Sequence, residues 1–280
     1  MIALKGAQVS AAIKEQAEQE IKKLKGKVPC LAIVRVGERP DDLSYERGAK
    51  KKLESFGLES RSFVFPETIE NESFQKEFKA INENPEIDGI LLLRPLPRHL
   101  DEKAIEKIID PQKDVDGISP ENIAKVFAGD ETGFAPCTAE AVIQMLKVNQ
   151  IPIAGKRVTV VGRSMVVGKP LAMLFLKENA TVTICHTKTE NLNETCKNAQ
   201  ILAAAAGKAK MLNQDAVGEG AIVLDVGINV DENGKLCGDV DFESIGDKAA
   251  MATPVPGGVG AVTTAVLALH LVRAALSRMD

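Results

Sequence analysis

Residues 157–170 read RVTVVGRSMVVGKP, and the way this stretch turns fixes the rest of the chain around it. A β-branched apolar run from Arg157 to Val161 leads into a loop that opens on Gly162 and closes on Gly168, and residues 169–177 then have helical character. Glycines at such a junction let the backbone turn sharply and approach a pyrophosphate, whose charge is favoured at a helix N-terminus. The spacing is longer than G-x-G-x-x-G and Ser164 stands in place of one glycine. The loop is therefore read as dinucleotide-binding from its position between strand and helix, with Gly162, Arg163, Ser164, Gly168 and Pro170 offered to the cofactor. A plain βα turn that needs glycine only for its backbone satisfies the same residues.

Downstream, residues 181–185 (TVTIC), 200–205 (QILAAA) and 221–226 (AIVLDV) are further apolar strands separated by helix-length segments. That alternation is the mark of a parallel sheet covered on both faces, a Rossmann-like arrangement. In such folds the end of the second strand reports the dinucleotide, because a carboxylate there accepts the ribose 2′-hydroxyl and repels a 2′-phosphate. Here that end reads Cys185-His186-Thr187-Lys188 and carries no acid. With Arg163 in the first loop and His186 and Thr187 at the strand end, NADP is the expected cofactor, NAD remaining possible.

Upstream, Ser10 caps a helix whose Ile13, Ala17, Ile21 and Leu24 share one face and which ends near Gly26. Residues 30–36 (CLAIVRV) form a strand, 44–56 a charged helix, 60–65 a short alternating strand, 72–82 a helix and 89–93 (GILLL) a buried strand stopped by Arg94-Pro95-Leu96-Pro97. A helix over 101–109, a polar loop over 111–120 and a linking helix from Thr138 complete this half. The expectation is an α/β protein of two domains.

Composition removes several classes of function. With 35 Lys+Arg against 39 Asp+Glu the net charge is −4, no block of five or six like charges is present, and there is no Trp and one Tyr; nucleic-acid binding is not expected. Five cysteines without a C-x-x-C pair argue against a disulfide framework and a zinc site, so no metal is expected and a reducing cytoplasm fits. Residues 257–276 are long enough to span a bilayer but carry His270 and Arg273, and are read as a buried packing helix rather than a membrane anchor.

Three further groups of residues look chemical: Tyr45 on the charged helix, Lys113-Asp114-Val115-Asp116-Gly117, and 253–260 (TPVPGGVG). With VGERPDDLSY, RPLP, KDVDG, GRSMVVGKP and DVGIN in this order along nearly the whole chain, the sequence resembles the methylenetetrahydrofolate dehydrogenase/cyclohydrolase family. The resemblance implies an N-terminal αβα folate-binding domain of residues 1–137 with 262–280, a Rossmann-like NAD(P)-binding domain of residues 138–261, a cleft lined from both sides, and a homodimer through the nucleotide domain. It implies tetrahydrofolate one-carbon derivatives as substrates, with Tyr45 bordering the pterin and Asp116 accepting its N–H donors, as the two catalytic residues. Pro256, Gly257 and Gly258 would let the backbone pass close to the substrate, and Gly227 and Ile228 of DVGIN would border the cofactor.

The sequence departs from that family at two positions. Bifunctional members carry a Lys four residues after the helix tyrosine, the proton handler when water attacks the methenyl carbon; here the position is Ala49. The supporting Gln before the Leu-Pro-Leu turn is Leu93, and Arg94 replaces the first Leu. Removal of a positioned acid–base group typically costs about 10²–10⁴ in rate, so hydrolysis is expected to be weak while hydride transfer survives. Lys50 lies about 100° around the helix, and Lys52, one turn beyond Ala49, is the one candidate substitute. The alternatives are a fully bifunctional enzyme that uses Lys52 or another group, and a nucleotide-binding regulatory protein with a decayed folate site. An amino- or hydroxy-acid dehydrogenase lacks a catalytic base, since His99 and His270 both read as structural.

Overall fold

The structure, a computed structural model, describes residues 1–279. In chain order its elements are β1 (Ile2–Ala3), α1 (Gly6–Ile21), β2 (Cys30–Val36), α2 (Pro40–Ser55), β3 (Glu59–Phe65), α3 (Asn71–Glu83), β4 (Gly89–Leu92), α4 (Glu102–Ile108), α5 (Pro120–Ala128) and α6 (Cys137–Val148). There follow β5 (Arg157–Val161), α7 (Gly168–Lys177), β6 (Thr181–Cys185), α8 (Leu192–Lys197), β7 (Ile201–Ala204), β8 (Ile222–Asp225), β9 (Asn229–Val230), β10 (Leu236–Cys237), β11 (Met251–Ala252) and α9 (Gly260–Ser277). The chain forms two compact units, one of residues 13–137 with 264–280, the other of residues 1–12 with 138–263.

In the first unit β3-β2-β4 make an all-parallel sheet, extended by a bridge between Ile90 and Asp114. Alternate residues of β2, Cys30, Ala32, Val34 and Val36, point into a core with Phe74, Phe78 and Ile81 of α3 and Ile105 of α4. That is the period-two face a strand must bury, matched to the three-to-four spacing of a helix. Gly89 is required on packing grounds, because a Cβ there would lie 2.8 Å from both Val115 and Leu271.

In the second unit a six-stranded sheet runs β1-β11-β8-β7-β5-β6, every pair parallel, and β9 and β10 form a separate antiparallel pair. Residues 1–12, expected with the first half of the chain, join this unit because Ile2 and Ala3 pair with Met251 and Ala252. The same pairing moves the start of α1 to Gly6, whose N–H donates to Gly257 O at 2.8 Å, so Ser10 lies inside the helix and does not cap it. Helix α5 was not expected within the segment after residue 120; Ser119 caps it by accepting from Asn122 N, Pro120 opens it and Gly129 ends it in the left-handed conformation. By length and mean hydropathy (1.5) α9 is apolar enough to cross a membrane, yet 67% of it is buried inside the protein, as expected of a core helix. All five cysteines are buried and unpaired by disulfides.

Candidate active site

Helix α2 is locked to its sheet by Glu46. Its carboxylate accepts Arg35 Nε at 2.9 Å and the Ser62 hydroxyl, and pairs with Lys50 Nζ at 2.8 Å. Burial would raise this carboxyl, but the bonds from Lys50, Ser62 and Arg35 outweigh it and hold it at about 2. With Glu46 directed at β2 and β3, the adjacent Tyr45 turns about 100° away. Its phenol is pushed well above its ordinary range by burial and then by the charge of Asp116 and the nearby Cys137. Tyr45 and Asp116 are thus brought together within one unit.

Asp116 is placed by its own loop. The neighbouring Asp114 carboxylate accepts Ile118 N (2.9 Å), Ser119 N (2.7 Å) and Asn122 Nδ2 (2.9 Å), which closes the turn. Asp116 Oδ1 accepts Cys137 N at 3.2 Å. Burial raises the Asp116 carboxyl, opposed by the Cys137 N–H and by the Arg94 guanidinium. Cys137 and Arg94 had no place in the sequence reading of this site. A cysteine after proline carries no signal of its own, and Arg94 stands out in the sequence only as a departure from the family pattern.

At the departure positions Ala49 is 1% exposed and Leu93 6%, so both are filled with packed hydrocarbon. Lys50 is engaged by Glu46. Lys52 is half-buried, and its ammonium is lowered by that burial and then by repulsion from Lys14 of α1. Arg94 pairs with Glu102 (3.6 Å) and Glu106 (3.4 Å) of α4.

In the second unit the two glycines that bound the loop after β5 have no room for a side chain. A Cβ on Gly162 would lie 2.1 Å from Ala205 O, and one on Gly168 2.2 Å from Gly162 O. Ser164 Oγ accepts Val167 N at 3.1 Å and so steadies the loop at the start of α7. Arg163 is exposed and Pro170 lies buried in the first turn of α7. His186 Nδ1 accepts the N–H of Lys188 at 3.1 Å, which places the ring proton on Nε2 as an available donor, and Thr187 is exposed beside it. Gly227 N donates to Asp225 Oδ1 at 3.0 Å, and a Cβ on Gly227 would strike the Asp239 carboxylate at 2.3 Å. Burial pushes the Asp225 carboxyl up to about 6 against the pull of the Val240, Asp239 and Gly227 N–H groups. Ile228 follows, 69% exposed. A backbone cradle at the C-terminal ends of β5, β6 and β8, opened by a glycine and followed by a helix N-terminus, fits a pyrophosphate.

Pro256, Gly257 and Gly258 belong to this second unit. Gly257 adopts φ 97°, and a Cβ on Gly258 would lie 2.5 Å from Pro254 O. These glycines are therefore required by their own loop.

The fold and these loops define a two-domain α/β enzyme in which a parallel sheet holds a nicotinamide dinucleotide. Residues 4–116 match the catalytic domain of tetrahydrofolate dehydrogenase/cyclohydrolase, and residues 136–279 match the NAD(P)-binding domain of the same enzymes. The bifunctional protein FolD of Carboxydothermus hydrogenoformans is 53% identical over 275 residues, covering 97% of this chain and 96% of that one. The crystal structure of bifunctional FolD from Campylobacter jejuni superposes with a TM-score of 0.96 at 39% identity, covering 99% of both chains. The Trypanosoma brucei methylenetetrahydrofolate dehydrogenase-cyclohydrolase, solved with NADP and an inhibitor, gives 0.92 at 32% identity over 100% of this chain and 98% of that one. The chain belongs to the tetrahydrofolate dehydrogenase/cyclohydrolase family.

Proposed function

We propose that this enzyme is an NADP-dependent methylenetetrahydrofolate dehydrogenase whose cyclohydrolase step is weak or absent. The observation that carries the reading is the buried methyl of Ala49, at the position where the family resemblance calls for an acid–base lysine, with Lys50 engaged by Glu46. Leu93 brings no polar support to that position, Arg94 cannot shed its proton, and the Lys52 ammonium is lowered by burial and then by repulsion from Lys14.

The two half-reactions make different demands. Oxidation removes a hydride from the methylene carbon while the folate nitrogen lone pair closes the C=N⁺ bond, so no protein base has to take a proton. Bound NADP⁺ supplies the hydride acceptor. Asp116, ionised, accepts the pterin N–H donors, and the Tyr45 ring borders the substrate. Gly162, Arg163, Ser164, Gly168, Pro170, His186, Thr187, Gly227 and Ile228 hold the dinucleotide, and Pro256, Gly257 and Gly258 border the substrate. Orientation alone supports this step. Hydrolysis needs a titratable group to take a proton from the attacking water and return one to the leaving nitrogen.

Two copies associate through the nucleotide-binding half, a reading supported by the open edge of β6, where Ile184 is exposed. The five unpaired thiols support a reducing compartment. The test of the activity follows both products at once. During NADP reduction by the purified enzyme, methenyltetrahydrofolate should accumulate in step with NADPH; formyltetrahydrofolate rising in its place, faster than buffer hydrolysis, would overturn the reading.

A further inference from the structure

His270 lies on α9, 1% exposed, and has no part in the chemistry above. Its Nδ1 is 2.9 Å from Val115 O and 3.7 Å from Cys137 Sγ. A carbonyl oxygen only accepts, so Nδ1 carries the proton and donates it to Val115. The same nitrogen then has no lone pair with which to accept the thiol proton. Cys137 Sγ lies 3.2 Å from Val115 O as a donor, and its thiol also bonds the Asp116 carboxyl directly.

Two side chains therefore converge on the carbonyl of the peptide that leads into Asp116, while Cys137 N holds the carboxylate itself at 3.2 Å. Behind this the Phe134 ring packs on the His270 ring with centroids 5.2 Å apart. Gly117, at φ 63°, presses so close to Phe134 that a Cβ would lie 2.4 Å from its carbonyl. The Asp116 turn is thereby clamped from α9 on one side and from residues 134–137 on the other.

We propose that His270 is a positioning residue for substrate binding: by donating to Val115 O, together with the Cys137 thiol, it sets the direction in which Asp116 presents its carboxylate. The inference rests on the reading of Asp116 as the pterin acceptor. A neutral donor of similar reach should serve equally well, because the role asks for an N–H and not for a titratable imidazole.

The test measures KM for methylenetetrahydrofolate, KM for NADP, kcat and Tm for H270L, H270N, C137A, C137S and D116N. H270L should raise the folate KM about tenfold with kcat and the NADP KM within about twofold of the parent, and H270N, whose Nδ2–H reaches the same carbonyl, should restore it. C137A should raise the folate KM by a few-fold and C137S should reverse that, which keeps the proposal testable if H270L fails to fold. A fall in Tm with folate KM unchanged in H270L and C137A, or an H270N as impaired as H270L, would overturn it. If D116N raises the folate KM while those variants do not, this inference alone fails. If D116N also leaves it unchanged, the site reading fails with it.

Discussion

Between β5 and α7 the backbone turns on two glycines whose Cβ positions are already taken by carbonyl oxygens, whereas the turn around Asp116 is held by the side chains of Asp114, Asn122, Cys137 and His270. One loop leaves out the side chain at two positions so that backbone can approach backbone; the other aims a single carboxylate through bonds from residues scattered over more than a hundred positions. A loop of the first kind tolerates no addition. A loop of the second kind degrades by degrees, each lost donor loosening the aim.

The largest expected effect therefore lies in the first loop. Gly162→Ala puts a methyl 2.1 Å from Ala205 O at φ 133° and should cost about 3 kcal/mol or more, read as a collapse of the urea midpoint and loss of NADP binding by calorimetry. A variant that binds NADP at parental affinity would break the contrast.

Asp116→Asn should be smaller in stability and opposite in sign. Burial raises the Asp116 carboxyl in the folded protein, so the native state holds the proton more tightly than the unfolded chain. The stability this gives is present below the ordinary Asp range and is lost as pH rises through the folded value. At pH 8 the neutral amide should raise Tm by about 2 °C while kcat/KM falls roughly 10²-fold. For the parent, the acid limb of kcat/KM should lie above the ordinary Asp range.

The smallest effect tests the anchor behind Tyr45. Glu46 is held at about 2, below its ordinary value, and so contributes stability that is present above about 4.5 and is lost as pH falls toward about 2. Glu46→Gln should flatten the loss of stability between pH 5 and pH 3 by about 1 kcal/mol in urea titrations. An unchanged slope would mean that Lys50 is free to swing toward Ala49.

The same contrast explains what could be read from the amino-acid order. Gly162, Gly168 and the strands around them are local signals, so the dinucleotide half was legible. The roles proposed for Tyr45 and Asp116 come from the order of motifs, since neither the lone tyrosine nor an Asp-Gly turn says anything by itself. The contacts of His270 with Val115 and Cys137 were not legible, because 155 and 133 residues separate the partners and tertiary packing brings them together. The two-residue strands β1 and β11 are too short for periodicity to register, which is why the pairing of residues 2–3 with 251–252 was not legible. Helix α5 is different: Ser119, Pro120 and Gly129 are sufficient local signals for it.

Whether a buried methyl at position 49 has silenced hydrolysis is decided by presenting methenyltetrahydrofolate to the purified enzyme without nicotinamide and following its initial loss above the buffer rate. Oxidation of methylenetetrahydrofolate is measured on the same sample. The account predicts hydrolysis at least about 10²-fold slower than oxidation. Hydrolysis at a rate equal to oxidation would contradict it.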